Sequence, residues 1–145
     1  MKNHFIYAQI YLRLALAIGF IYRVSDRIGW LGPAGQHNVD WGTWDSFLNY
    51  SHVLMPYVSK SVSDILGFLE AIAELSFGIF LVIGFQTRLV AIGSFAITLI
   101  LGLSMAAFLG LKAPFNYSVF VVSAGALLLS ALPVYRYSLD YLCKP

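Results

Sequence analysis

The sequence predicts an all-α integral membrane protein, a four-helix bundle with a long, partly helical aromatic loop between the first and second transmembrane helices. Hydrophobic residues make up 59% of the 145 residues and charged residues only 11%, against about 45–50% and about 25% in soluble proteins. The mean hydropathy is +0.77. A soluble chain of this size could not bury so much apolar surface, so lipid must be its solvent.

Four apolar runs have the length of a membrane span, since about 20 residues of helix cross about 30 Å of hydrocarbon. We predict a single transmembrane domain over residues 1–145 with spans at 5–24, 62–85, 89–111 and 115–132. The first run exceeds the apolar core of a signal peptide, and no small-residue cleavage site follows it. We therefore expect it to remain as the first span.

The connections between the spans are unequal in length. Residues 86–88 and 112–114 are short links that make consecutive spans antiparallel neighbours. The extramembrane or interfacial segment 25–61 is the only long connection, and residues 133–145 form a short tail.

The long segment contains a predicted interfacial helix with an aromatic face. Apolar residues recur there at spacings of three and four: Phe47, Tyr50, Leu54 and Tyr57. Thr43 or Asp45 is the expected N-cap. Three tryptophans suit the membrane–water boundary and form a predicted interfacial aromatic lid: Trp30, Trp41 and Trp44. The lid either packs on the bundle without a ligand or covers a site.

The orientation follows from weak signals. Each side of the membrane carries four Lys or Arg residues when Arg23, at the end of the first span, is counted with the long segment, so the positive charges do not choose an orientation. Four aspartates share the side of the long segment: Asp26, Asp40, Asp45 and Asp64. They favour a multi-pass protein of the inner cell membrane with both termini in the cytoplasm.

Ionisable residues inside the membrane are functional candidates. Glu74 lies near the middle of the second span, and small residues share its face within about 60°: Gly67, Ala71 and Gly78. Glu74 should therefore face a neighbouring helix. Arg13 lies at a matching depth in the antiparallel first span, which predicts an Arg13–Glu74 ion pair.

Further charges extend this pair into a predicted polar column through the bundle: Arg13, Glu74, Glu70, Arg23, Asp26 and Arg27, with Arg88 at the start of the third span. One interpretation is a structural salt-bridge network that sets helix register. The other is a binding site for a small molecule or quinone head group, or a proton relay, with a carboxylate at the midplane.

Several kinds of site are disfavoured. The single cysteine, Cys143, allows no internal disulfide or paired-thiol chemistry. No metal site is predicted, because His4, His37 and His52 lack ligand spacing, and no Ser–His–Asp grouping can be assembled. The net charge of +2 is too small for nucleic-acid binding. No self-contained catalytic site is recognised.

Three groups of residues resemble the DoxX family of small four-helix membrane proteins. They are Leu12-Arg13-Leu14-Ala15, the span exit Asp26-Arg27-Ile28-Gly29, and Glu74-x₃-Gly78-x₅-Gly84-x₃-Arg88-x₂-Ala91. The resemblance covers about residues 10–132, and the long tryptophan-bearing segment departs from the family pattern. The family is named for subunits associated with archaeal quinol oxidase and thiosulfate:quinone oxidoreductase activities, and other members look like membrane anchors for redox or stress-defence enzymes.

Two functions from different classes fit these features. The first is an accessory or quinone-interacting subunit of a membrane redox system, which works with a redox-enzyme partner protein. The second is a non-enzymatic assembly factor or small-solute pathway in which the buried charges hold the fold. No covalent cofactor is expected, a quinone or a lipid is the candidate ligand, and a homo-oligomer is the alternative to a partner enzyme.

Overall fold

The structure, a computed structural model, describes residues 2–142 and consists of helices and connecting turns. Seven helices follow one another along this part of the chain: α1 Lys2–Arg27, α2 Trp44–Leu54, α3 Lys60–Ile83, α4 Thr87–Phe108, α5 Lys112–Asn116, α6 Val119–Ser130 and α7 Leu139–Leu142. The all-α prediction is confirmed for the described residues.

Three of these helices are long and apolar enough to cross a membrane: His4–Arg27 within α1, Lys60–Ile83 and Thr87–Phe108. They correspond to the first three predicted spans, with ends shifted by a few residues. Their outward faces carry exposed large apolar side chains such as Ile18, Ile79 and Ile100. In lipid such a surface is solvated, whereas in water it would drive aggregation.

The fourth predicted span, 115–132, is wrong as a continuous helix. Two helices replace it, α5 and α6, and Ser118 between them has a left-handed backbone with φ 52°. The 12 residues of α6 rise about 18 Å at 1.5 Å per residue, well short of about 30 Å of hydrocarbon. Hydropathy did not reveal the break because the run 115–132 is apolar on average.

The four longest helices surround one core, in which α1 packs on α3, α3 on α4, α4 on α6 and α6 on α1. Small residues allow close approach: a Cβ on Gly78 would lie 2.7 Å from Ile21 Cγ1. The buried apolar core draws on all four helices: Leu16, Ala17, Phe20, Leu81, Val90, Ala91, Ala126 and Leu129.

The predicted small-residue face of the second span is confirmed, because Gly67, Ala71, Glu74 and Gly78 are all buried in α3. Glu74 therefore faces protein and not lipid. The helix ends at Gly84, whose left-handed φ of 69° is the conformation that glycine adopts without strain.

Candidate functional site

Four charged side chains meet between α1 and α3, and we call them the ionic cluster: Arg23, Arg27, Glu70 and Glu74. Arg27 Nη1 lies 2.8 Å from Glu74 Oε2, and Arg27 Nη2 donates a 3.3 Å hydrogen bond to Glu70 Oε1. Arg23 Nη1 lies 3.8 Å from Glu74 Oε1. Arg27 therefore bridges the two carboxylates, and the formal charges of the cluster sum to zero.

The centre of the ionic cluster is removed from solvent. The side chains of Arg27 and Glu74 are 1% and 0% exposed, whereas those of Arg23 and Glu70 are 28% and 20% exposed. Within the described part of the chain, neither oxygen of Glu74 has a partner in hydrogen-bond geometry, despite the nearby Arg27. The carboxylate is therefore held by its ion pairs with Arg27 and Arg23 and not by an oriented hydrogen bond.

Helix α2 covers the cluster from the loop side. Thr43 caps this helix by accepting a 3.3 Å hydrogen bond from the Ser46 backbone N–H, which confirms Thr43 as one of the two predicted caps. Phe47 is buried, and its ring centroid lies 4.0 Å from the guanidinium carbon of Arg27. A guanidinium over an aromatic face gains a cation–π attraction, so the lid contacts the cluster directly.

The three tryptophans of the predicted lid occupy different places. Trp41 and Trp44 pack against Phe47, with ring centroids 6.0 and 5.2 Å away. Trp41 also lies 5.6 Å from the Arg27 guanidinium carbon. Trp30 is 80% exposed and lies outside this aromatic packing. The lid over the cluster is therefore built by Trp41, Trp44 and Phe47.

Asp26 does not join the ion pairs of the predicted polar column. Its buried carboxylate accepts hydrogen bonds of 3.0, 3.3 and 3.2 Å from the backbone N–H groups of Asp40, Trp41 and Gly42. A carboxylate that accepts three backbone hydrogen bonds fixes the path of that stretch of the loop. Asp26 thereby positions Trp41 above the ionic cluster.

The predicted Arg13–Glu74 ion pair is wrong. Gly78 lies against Ala17 and Ile21, and Gly84 lies against Arg13. Because α1 and α3 are antiparallel, Glu74 is level with residues beyond Ile21, and Arg23 and Arg27 reach it instead.

The buried Arg13 binds the C-terminal tail. Its Nη2 donates a 2.7 Å hydrogen bond to the Tyr137 carbonyl. Gln9, one turn earlier on α1, donates a 3.3 Å hydrogen bond from its Nε2 to the Arg136 carbonyl. This polar contact lies at the other end of the bundle from the ionic cluster.

Arg88 and the histidines also lie apart from the cluster. Arg88 is exposed at the start of α4. Burial raises the pKa of Tyr135, and the positive charge of Arg88 partly offsets this rise. His52 Nδ1 lies 3.1 Å from Ser63 Oγ. Across residues 2–142, no group of three or more His, Cys, Asp or Glu side chains could hold a metal ion. Cys143 lies outside the described residues.

A cavity of about 350 Å³, the first cavity, lies beside the ionic cluster between α1 and α6, with α4 behind it. Its walls are mainly apolar: Leu12, Ala15, Leu16, Gly19, Phe20, Leu101, Met105, Val119, Val121, Val122 and Gly125. Its polar lining gathers at one end: Arg23, Asp40, Trp41, Tyr50 and Tyr117. Burial raises the pKa of Tyr50, so its phenol is neutral at physiological pH. Arg23 connects this cavity to the cluster.

A second cavity, of about 480 Å³, lies between α3 and α4 beneath the end of α2. Most of its lining is apolar: Leu54, Met55, Leu66, Leu69, Ala73, Ile97, Ile100 and Leu101. Its polar groups are the Glu70 carboxylate and the hydroxyls of Ser51, Tyr57 and Ser104. Leu101 lines both cavities. One member of the ionic cluster thus faces each cavity, Arg23 the first and Glu70 the second.

Sequence reasoning did not identify Tyr117 or Leu101 as site residues, and it placed Tyr50 only on an apolar helix face. Tyr117 was not recognised because the fourth span was expected to be one continuous helix. The helix instead breaks at Ser118, and Tyr117 beside the break lines the first cavity. Leu101 had no signal, since it is one of many leucines in α4.

One family model, described as "TQO small subunit DoxD", matches residues 7–145 of the chain. DoxD is related to the DoxX family that the sequence resembles, so the resemblance identified the relationship but not the member family. Neither the curated proteins nor the solved structures contain a match to the chain.

Proposed function

Because the chain belongs to the DoxD family, we propose that it is the small membrane subunit of a quinone-linked redox complex, in which it holds the quinone head group. The family description is that of a subunit, so the proposed partner is a protein that carries the electron-transferring group. A homo-oligomer is the alternative assembly.

The observation that carries this proposal is the meeting of the first cavity with the ionic cluster at Arg23. A quinone needs a flat apolar slot, hydrogen-bond donors for two carbonyl oxygens, and an exit for its tail. Arg23, Tyr50 and Tyr117 supply donors at one end of the cavity. Its volume of about 350 Å³ lies within the range of about 300–1,000 Å³ for small-molecule sites.

The tail exit is the lateral opening between α1 and α6. Gly19 on α1 and Val121 on α6 line the cavity and are exposed on the lipid-facing surface. The small residues Ala15 and Gly19 on α1 leave room between α1 and α6. An apolar tail can therefore leave the cavity directly into the bilayer.

Charge favours a neutral quinone over an anionic lipid. Arg23 is paired with Glu74 in a cluster of zero formal charge, and Asp40 also lines the cavity. An anionic head group would thus gain no net positive potential and would meet a carboxylate, whereas a neutral carbonyl can accept a hydrogen bond without this cost.

The membrane topology belongs to the same proposal. We place α5 and α6 together as the fourth transmembrane element, which completes the four-helix bundle and brings both termini to one side. Because translocated segments tolerate Asp, the aspartates of the long segment favour a translocated position for that segment and a cytoplasmic position for both termini. Reporter fusions at each terminus test this arrangement.

A second function has one observation in its favour. The full burial of the Arg27–Glu74 pair is what a purely structural network requires, which suits a non-enzymatic assembly factor or small-solute pathway. The two functions differ in whether the first cavity holds a quinone.

Quinone content of the purified protein tests the proposal. Gly19→Leu should fill the first cavity, since an added Cβ meets nothing within 4 Å. Ala124→Leu, at an exposed position of α6 outside the cavity lining, is the matched control. We expect extracted wild type and Ala124→Leu to carry quinone and Gly19→Leu to lose it. Quinone in none of the three, or equal amounts in all three, would contradict the proposal.

The proposed partner is tested separately by affinity capture of the tagged chain from its native membrane. We expect a second protein with a redox cofactor to be retained through detergent washes. Capture of this chain alone would favour the non-enzymatic function.

A further inference from the structure

The second cavity, which the function proposed above does not use, leads from the membrane surface to the ionic cluster. Tyr57, in the turn between α2 and α3, lines it and is exposed. The end of α4 reaches the same surface, because the rings of Phe108 and Tyr57 pack with centroids 5.8 Å apart. Glu70 lines the cavity about 15 Å along α3 from Lys60, at 1.5 Å per residue. This depth is half of a hydrocarbon layer about 30 Å thick.

Three polar groups of this lining have no hydrogen bond among the described residues: Oε2 of Glu70 and the hydroxyls of Tyr57 and Ser104. Oε1 of Glu70, by contrast, accepts from Arg27 Nη2 at 3.3 Å. A buried water needs room and two to four polar partners. The cavity of about 480 Å³ has room for several waters at about 30 Å³ each. Its lining therefore offers water both donors and acceptors.

The carboxylate of Glu70 favours water over lipid as the content of this cavity. The Glu70 side chain is 20% exposed, and Leu69 and Ile100 on the cavity wall are exposed to lipid. A lipid chain in the cavity would leave Oε2 without a hydrogen-bond donor, and an ion pays a far larger penalty for this than a neutral group does. Ionisable side chains within a membrane accordingly face the bundle interior or a water-filled cavity.

We propose that the second cavity is a water-filled inlet through which Glu70 exchanges a proton with the aqueous phase on the side of the long segment. In this exchange a hydronium ion transfers a proton to Glu70 Oε2 and becomes water, and the reverse step returns the proton. Glu70 is the member of the ionic cluster suited to this exchange. Glu74, the other carboxylate, is 0% exposed and lies beside both arginines.

The groups around Glu70 allow it to hold a proton without loss of the central ion pair. Arg23 and Arg27 approach the cluster from α1, and Glu74 lies one turn further along α3. Tyr50 of α2 lines the first cavity. The α4 residues of the second lining are uncharged: Ile97, Ile100, Leu101 and Ser104. A proton on Glu70 leaves the 2.8 Å contact between Arg27 and Glu74 intact and raises the formal charge of the cluster from zero to +1.

This added charge lies at the wall of the first cavity, which Arg23 lines. The second cavity opens between α3 and α4, on the opposite face of the bundle from the α1–α6 opening. A ligand that gains an electron in the first cavity would thus be balanced by a proton that enters from the other face. This consequence rests on the function proposed above, whereas the inlet does not.

Thiol accessibility tests for water in the second cavity, in the full chain with Cys143→Ser in lipid nanodiscs. The probe is a membrane-impermeant trimethylammonium methanethiosulfonate, which reacts with thiolate, a form that apolar surroundings disfavour. Ala73→Cys and Ser104→Cys place a thiol in the lining. The matched controls are Ile72→Cys and Leu103→Cys, one residue away and exposed outside the lining. We expect the lining thiols to react at least about tenfold faster than the controls.

Infrared difference spectra between acidic and alkaline buffers test the proton itself. We expect a carboxylic acid C=O band that shifts in D₂O and is missing in Glu70→Gln, which keeps the side-chain shape. Asp64→Asn is the matched control, because Asp64 is a carboxylate of α3 that pairs with Lys60 outside the cavity lining. This variant should retain the band.

The outcomes separate the inlet from the function proposed above. Equal reaction rates at lining and control positions would mean that lipid fills the second cavity, which overturns the inlet. A carboxylic acid band that persists in Glu70→Gln overturns the assignment of the proton to this residue. Neither readout needs a ligand in the first cavity. Purified protein without quinone therefore refutes the function and leaves the inlet standing, and quinone-loaded protein with equal thiol rates does the reverse.

Discussion

Removing the charge of Glu74 should destabilise the protein strongly, and Glu74→Gln is the substitution that does so without changing side-chain shape. In the wild type, Glu74 lies 2.8 Å from Arg27, and both side chains are buried. The variant leaves the guanidinium of Arg27 inside the bundle with Glu70 as its remaining carboxylate, at 3.3 Å.

The magnitude follows from burial. Breaking a buried ion pair by removing one partner costs about 3–5 kcal/mol, because the remaining charge is desolvated without compensation. Glu70 is partly exposed and still contacts Arg27, so we expect a loss of about 3 kcal/mol, the lower end of that range. Glu70→Gln keeps the 2.8 Å pair intact and should cost less than half as much.

Equilibrium unfolding in detergent micelles, followed by circular dichroism, measures these differences. The double variant Arg27→Leu with Glu74→Leu is the critical control. It removes both charges of the central pair, and such replacements are often neutral or stabilising; Arg23 and Glu70 remain to balance each other. If Glu74→Gln were as stable as wild type, or the double variant as unstable as Glu74→Gln, desolvation of the Arg27 charge would not be the dominant cost.

Three further substitutions probe the loop over the cluster, the start of α4 and the Tyr50 phenol. Asp26→Ala removes the acceptor of three backbone N–H groups in residues 40–42. It should lower the free energy of unfolding by about 1–3 kcal/mol and speed limited proteolysis within that loop. An unchanged cleavage rate would contradict the anchoring role of Asp26. Asp140→Ala removes the carboxylate that accepts 2.7 Å hydrogen bonds from the Gln86 and Thr87 N–H groups. This substitution should lower the free energy of unfolding by about 0.5–2 kcal/mol and speed amide hydrogen exchange at the start of α4. Equal exchange rates in variant and wild type would argue against a capping role for Asp140. Burial raises the pKa of Tyr50, so wild-type stability should fall as pH rises above about 10, where unfolded tyrosine ionises. Tyr50→Phe should lose less stability over that interval, and identical alkaline profiles would count against a buried phenol.

Local patterns in the sequence predicted much of the fold. Run length and hydropathy located α1, α3 and α4, because a bilayer demands long, uniformly apolar helices. The 3.6-residue period placed Gly67, Ala71, Glu74 and Gly78 on one buried face. The cap at Thr43 followed from its side-chain chemistry.

Features that depend on the relative register of the helices could not be predicted in this way. The Arg13–Glu74 pair was expected from depths counted from span ends, but close packing of Gly78 on Ala17 and Ile21 sets a different register. The break at Ser118 depends on one left-handed residue within an apolar run. Each cavity is lined by residues of several helices, so no local pattern indicates them.

The proposed function places a quinone head group in the first cavity beside Arg23. The decisive measurement is photolabelling with a quinone that carries a reactive group near its ring, followed by peptide mass spectrometry. We predict labelling of residues 15–19 and 121–125, displaced by excess unlabelled quinone and lost in Gly19→Leu. Labelling confined to lipid-facing positions such as Ile92, or labelling that persists undiminished in Gly19→Leu, would contradict the claim.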